Sequence, residues 1–131
     1  MKDVLFDEFQ DSVGKSLIRH KSILDVMTKY QESAARINRA IAKATTSCGC
    51  VSVDAHKQRV PPDISLEEVA NYMESHVNGH LCENCQDIVE SEIGNSLFYL
   101  AALCELLDLN LYDIMLKELK KLRTLGIYNI S

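Results

Sequence analysis

The chain has 131 residues, 47% of them apolar, and a formal net charge of -5 at pH 7. That is one domain's worth of sequence with enough apolar content for a core, and its scattered or acid-paired Lys and Arg lack the basic footprint of a nucleic-acid binder. Acids at positions 3, 7, 8 and 11 exclude a secretory signal, and the longest uncharged apolar run, ending at Glu105, falls far short of a membrane span, so one soluble, cytoplasmic domain over 1–131 is expected, with no membrane partner.

In chain order, residues 3 to 19 place Leu5, Phe6, Phe9, Val13 and Leu17 at helical spacing between charges, which predicts an amphipathic helix. Ser22 and Asp25 form an N-cap pair. They open a second helix, "SILDVMTKYQESAARINRAIAKA", and a break before it is favoured over one continuous helix. From 45 to 64 the text turns to "TTSCGCVSVDAHKQRVPPDI", whose glycine, two prolines and short β-branched residues do not sustain a helix. A long loop is expected. Ser65 and Glu68 then make a capping-box signature before "LEEVANYMESHV", a helix of about three turns that Asn78 and Gly79 should stop. Residues 84 to 107 are again periodic, Asp108 to Asn110 make a turn with Asn110 as cap, and "LYDIMLKELKKLRTL" runs to a glycine C-cap at Gly126. No segment reads as a paired strand, so the expected class is all-α, a helical bundle with a cysteine-bearing irregular stretch over about 45–85.

Four of the five cysteines are clustered in sequence as Cys48-Gly-Cys50 and Cys82-Glu-Asn-Cys85. In a reducing compartment such pairs serve as metal ligands or redox thiols more often than as structural disulfides. Four thiolates suit tetrahedral Zn²⁺, and Gly49 suits the tight reversal that a CxC pair needs. His56, His76 and His80 are spare ligands should one cysteine fail to reach, while His20 and His76 read otherwise as surface or helix-end residues. A dithiol switch is the rival, because Cys82 precedes a helix whose N-terminus lowers its pKa; four unrelated cysteines is the bland alternative. Cys104, alone on an apolar helix, reads as core.

The stripe Ile88, Glu92, Asn95, Tyr99, Ala102 and Leu106 carries Glu92 and Asn95 along one helix face, and buried polar groups need partners. The helix "ESAARINRAI", 32 to 41, offers Ser33 and Arg36 among small residues that permit close approach.

"ESAARINRAI" and "SEIGNSLFYLAALCELLDLNLYDIMLKELKKL" resemble the two motif helices of the MazG-like, all-α nucleotide pyrophosphohydrolases, with the cysteine-bearing stretch between them as an insertion. The resemblance implies a helical bundle that associates as a homodimer or homotetramer, and a site where four carboxylates at i, i+3 on two helices hold Mg²⁺ against nucleotide phosphates. Carried over, those carboxylate positions fall at Ser33, Arg36, Glu92 and Asn95, with Glu32 at the first glutamate of the motif. Only Glu92 keeps its acid. The site charge changes from about -4 to about 0, which argues against Mg²⁺ and against catalysis and leaves no catalytic residue to name. Two states of the degenerate site are open: an internal Arg36–Glu92 ion pair finished by Ser33 and Asn95, or a pocket in which Arg36 meets a nucleotide or another anion. A Mg²⁺-dependent enzyme recruiting Glu32, Asp87 or Glu90 is the alternative from another functional class.

Overall fold

The computed structural model describes residues 4–17 and 21–125. The first helix, α1 (Val4–Ser16), turns Phe9, Gln10 and Val13 inward, and Leu17 follows, its N–H tightened onto the Gly14 carbonyl at 3.3 Å. It ends short of the expected 19, and 18–20, including His20, lie outside the described residues. Helix α2 (Ile23–Lys43) begins afresh after Ser22, as expected. Ser22 has the extended backbone of an N-cap, yet its side chain makes no capping bond; the helix is held instead by the Val26 N–H on the Ser22 carbonyl.

Helix α4 (Glu83–Leu106) packs against both α2 and α1. Val13, Leu17, Val26, Ala101 and Ala102 form the buried centre, ringed by Phe9, Phe98, Tyr99, Leu103, Leu106 and Leu111. Ala101 and Ala102 are fully buried, and their small side chains let α1 and α2 approach the α4 backbone closely. Cys104 is buried here too. After the turn at Asp108, Asn110 caps α5 (Leu111–Leu125) by accepting the Asp113 N–H at 2.9 Å, as its sequence position predicts; Gly126 lies outside the described residues.

A buried glutamine that the sequence pattern does not single out closes this end of the bundle. Gln10 donates to Glu105 Oε1 at 2.9 Å and to the Leu109 carbonyl at 2.7 Å, and its Oε1 accepts the Leu111 N–H at 2.7 Å. One side chain thus satisfies an orphan donor of the first turn of α5 and a carbonyl of the turn before it. Gln10→Ala strands both groups, so chemical denaturation should show a loss of about 1–3 kcal/mol; an unchanged midpoint and slope would mean that water replaces the amide without cost.

Between α2 and α4 the chain departs from expectation in three places. Ala44–Cys48 continues α2 as a π-type turn, where a loop is predicted from 45. Val51–Val53 (β1) and Val77–Gly79 (β2) pair antiparallel, Val51 opposite Gly79 and Val53 opposite Val77, where no strand is predicted. Three-residue strands are too short to display an alternating pattern. The helix expected to run about three turns from Ser65 is one turn, α3 (Leu66–Val69). Its cap forms, since Ser65 accepts the Glu68 N–H, but Leu66, Tyr72 and Met73 stay exposed. An unburied apolar face cannot sustain so short a helix. Gln58 instead claims the chain by pairing with both backbone groups of Glu74, and it reverses at His76, φ 63, into β2. With this small ribbon aside, the class is all-α. Among the described residues no helix is long and apolar enough to cross a membrane.

Candidate metal centre

The cysteine pairs sit at the facing ends of α2 and α4. At the first end, the π-type turn closes with the Gly49 N–H on the Ala44 carbonyl at 2.8 Å, and Gly49 takes φ 83. That left-handed conformation favours glycine, and it turns Cys48 and Cys50 toward one another's side of the chain. At the second end, Cys82 is the N-cap of α4, its sulfur accepting the Cys85 N–H at 3.4 Å. The ribbon holds the two ends in register. Gly79, at φ 86, presses so close that an added Cβ would stand 2.6 Å from the Cys50 carbonyl oxygen.

The result is a cluster in which all four sulfurs lie within 4.8 Å of one another. Cys85 is buried, Cys50 and Cys82 half-buried, and Cys48 exposed, over a small apolar pad of Ala44, Val51 and Leu81. Cys48 Sγ and Cys82 Sγ, from opposite ends, stand 3.8 Å apart. A tetrahedron of sulfurs about 2.3 Å from a central ion has edges of about 3.8 Å. The set therefore fits one metal ion; an iron–sulfur cluster, with inorganic sulfide and several irons between its cysteines, needs ligands set further apart. All five cysteines are free thiols, and no histidine is needed to complete the four.

Local electrostatics divide the thiols. The Cys85 backbone N–H, then the Cys85 thiol, bring Cys82 down to about 7, which favours its thiolate. Cys85 is pushed up to about 12 by its hydrogen bond to Cys82, then by burial. The thiolate is thus stabilised where a helix N-terminus and an amide meet it.

The other predicted site lies where α2 and α4 face each other, but its side chains pair differently. Ser33, 2% exposed, donates to the Tyr30 carbonyl at 2.6 Å and lies 2.8 Å from Ser96 Oγ. Its single proton spent, Ser33 accepts from Ser96. The expected Arg36–Glu92 bridge does not form: Arg36 pairs with Glu32 on its own helix at 3.3 Å, and Glu92 accepts from Asn95 at 3.4 Å. Arg36 and Glu32 are largely exposed, and such an i, i+4 pair is worth about 0.3–0.5 kcal/mol. Arg36→Ala should hardly move the denaturation midpoint.

Asn95 is likewise exposed, because the first half of α4 turns inward Cys85, Val89, half-buried Glu92 and Ser96; of the predicted stripe, Ile88 and Asn95 fall one position outside this face, while Tyr99, Ala102 and Leu106 reach the core. Ser96 is the residue the pattern missed, and continuing the i, i+4 step from Glu92 finds it. Lys29, Glu32, Ser33, Arg36, Asn95 and Tyr99 line an open pocket of about 240 Å³. Glu32 there is shared by Lys29 at 3.8 Å and Arg36, leaving no cluster of anionic oxygen for a hard dication. Asp87 and Glu90 are exposed on the same helix and do not line it.

No protein-family model, curated protein or solved structure matches the chain. Its fold and site define an all-α protein with four converging cysteines able to hold a metal ion.

Proposed function

We propose that the cysteine cluster is a structural Zn²⁺ centre in a diverged, non-catalytic relative of the MazG-like pyrophosphohydrolases. The observation that carries the metal reading is the four-sulfur cluster itself, with sulfurs from opposite ends at the edge length of a zinc tetrahedron. A closed four-thiolate site offers no open position for substrate, which is the mark of a structural rather than a catalytic zinc. Its mechanical role is to staple the end of α2 to the start of α4, replacing the burial that so small an apolar pad cannot supply. Free thiols in this arrangement suit a reducing, cytoplasmic compartment.

The non-catalytic reading rests on the α2–α4 pocket, where Ser33, Arg36 and Asn95 stand at the resembled carboxylate positions. Arg36 and Lys29 there leave an anion such as a nucleotide phosphate as the ligand to test. Elemental analysis of the purified protein should find about one zinc per chain, and pyrophosphate release from nucleoside triphosphates with Mg²⁺ or Mn²⁺ should be absent. A folded, metal-free protein would overturn the zinc reading. Should such a protein form a Cys82–Cys85 disulfide on mild oxidation, the pair is a thiol switch instead. Metal-dependent turnover abolished by Glu92→Gln would overturn the non-catalytic reading in favour of the enzyme.

The chain is also proposed to form a homodimer or homotetramer. Leu24 and Met27 on α2, Ile93 and Leu97 on α4, and Ile114, Met115, Leu119 and Leu122 on α5 are all exposed, apolar side chains of the kind that a subunit contact would bury. Light scattering should give at least twice the 14.8 kDa chain mass; a monomer at micromolar concentration contradicts this.

A further inference from the structure

A second set of metal-binding side chains lies in the stretch between the cysteine pairs. His56, Glu74 and His76 bring one ligand atom each to within 4.8 Å of one another. The His56 and His76 rings meet edge to face with centroids 4.9 Å apart, and His56 Nε2 touches Glu74 Oε2.

The surrounding backbone fixes this arrangement. Gln58 accepts the Glu74 N–H at 3.0 Å and donates to the Glu74 carbonyl at 2.8 Å, and its amide nitrogen lies 3.4 Å from His76 Nε2. His76 is held at φ 63, with its carbonyl accepting the Asp54 N–H at 2.9 Å just beyond the ribbon. A non-glycine residue enters that region at a cost. Here the cost sets an imidazole beside a second imidazole and a carboxylate, over a solvent-open hollow of about 330 Å³ that Asp54 also lines.

We propose that His56, Glu74 and His76 form a second metal site, one that binds a divalent transition-metal ion exchangeably. Two imidazole nitrogens and one carboxylate oxygen suit zinc, cobalt or nickel and not magnesium or calcium, which take oxygen donors. Three protein ligands leave coordination positions to water. The site is therefore weaker and faster to exchange than the four-thiol centre, and filling it ties the irregular stretch 54–76 to the ribbon.

Ni²⁺ titrated calorimetrically into the protein as isolated distinguishes a metal site from a plain His–Glu ion pair. The expected result is saturable uptake of about one ion per chain, with the His56 and His76 imidazole NMR signals broadened by the paramagnetic ion. His56→Ala and His76→Ala should each weaken binding about tenfold or more. Glu74→Gln, which keeps a hydrogen-bond acceptor for His56, should do the same while leaving the helical circular dichroism unchanged. All three side chains are exposed or half-buried, so the bundle should tolerate these changes. The proposal is overturned if the wild type shows no saturable uptake, if the double variant His56→Ala/His76→Ala takes up as many Ni²⁺ ions per chain as the wild type, or if Glu74→Gln binds Ni²⁺ as the wild type does.

Discussion

Removing the ion proposed for the cysteine cluster with a strong chelator is expected to lower Tm by about 10 °C or more and to open one end of the molecule while the other stays folded. The size follows from linkage: a ligand that binds only the folded state stabilises it in proportion to the logarithm of its excess over Kd, and structural zinc sites bind far below ordinary free-metal levels. For a domain of this length each kcal/mol moves Tm by several degrees. The locality follows from burial. Ala44, Val51 and Cys85 make up the buried part of the cysteine end, whereas Val13, Leu17, Val26, Ala101 and Ala102 anchor the far end. Three-residue strands do not stand alone in water. Amide exchange should therefore accelerate over Val51–Val53 and Val77–Gly79, with little change in the helical signal. Cys82→Ser and Cys85→Ser should reproduce the loss without chelator. A chelated protein, shown to be metal-free, that melts where the untreated protein does would remove the structural role.

Acid should act as the chelator does. Metal takes thiolates, so every ligand protonated in the metal-free protein must release its proton on binding. Cys85, pushed up to about 12, and Cys48, also raised above the ordinary thiol value by the balance of its hydrogen bonds with Cys50, Cys82 and Cys85, hold theirs at neutral pH. Affinity therefore rises with pH, by about tenfold per pH unit for each proton displaced. Cys82, at about 7, joins them below neutrality and steepens the loss.

Much of this organisation is legible in the sequence because long periodic helices and short-range caps report themselves locally. The Asn110 cap, the break before α2 and the core position of Cys104 need only their neighbours to be read. Convergence of Cys48, Cys50, Cys82 and Cys85 is foreshadowed by their spacing, since CxC and CxxC pairs have few other uses in a reducing compartment. What local pattern cannot show is which partner a residue finds. Ser65 caps a helix as its motif says, yet that helix lasts one turn because Gln58, seven positions before the cap, takes the Glu74 backbone. Tyr99, Ala102 and Leu106 of the predicted α4 stripe reach the core, but Asn95 does not, because the small Ser96 fits opposite Ser33 in its place. Arg36 pairs with Glu32 on its own helix rather than with Glu92 on α4, since an exposed guanidinium at i, i+4 pairs without being desolvated.

The same pocket supplies the strongest test of ancestry. Restoring the acids of the resembled motif with Ser33→Glu, Arg36→Glu and Asn95→Asp removes one cation and adds three anions. Around the pocket, where Lys29 and Arg36 now balance Glu32 and Glu92, the charge becomes about -4. One of the new carboxylates stands at a position 2% exposed and displaces the Ser33–Ser96 hydrogen bond, so without metal the variant should lose about 3–5 kcal/mol. If α2 and α4 still present these positions to one ion, Mg²⁺ or Mn²⁺ at a hundredfold excess over Kd should return about 2.7 kcal/mol, while Ser33→Glu alone should gain nothing from either. The pocket's open side and its volume of about 240 Å³ leave room for a hydrated dication. A folded triple variant with the same Tm in Mg²⁺, Mn²⁺ and chelator would show that the two helices do not frame a lapsed metal site, and the proposed kinship with the MazG-like enzymes would fail with it.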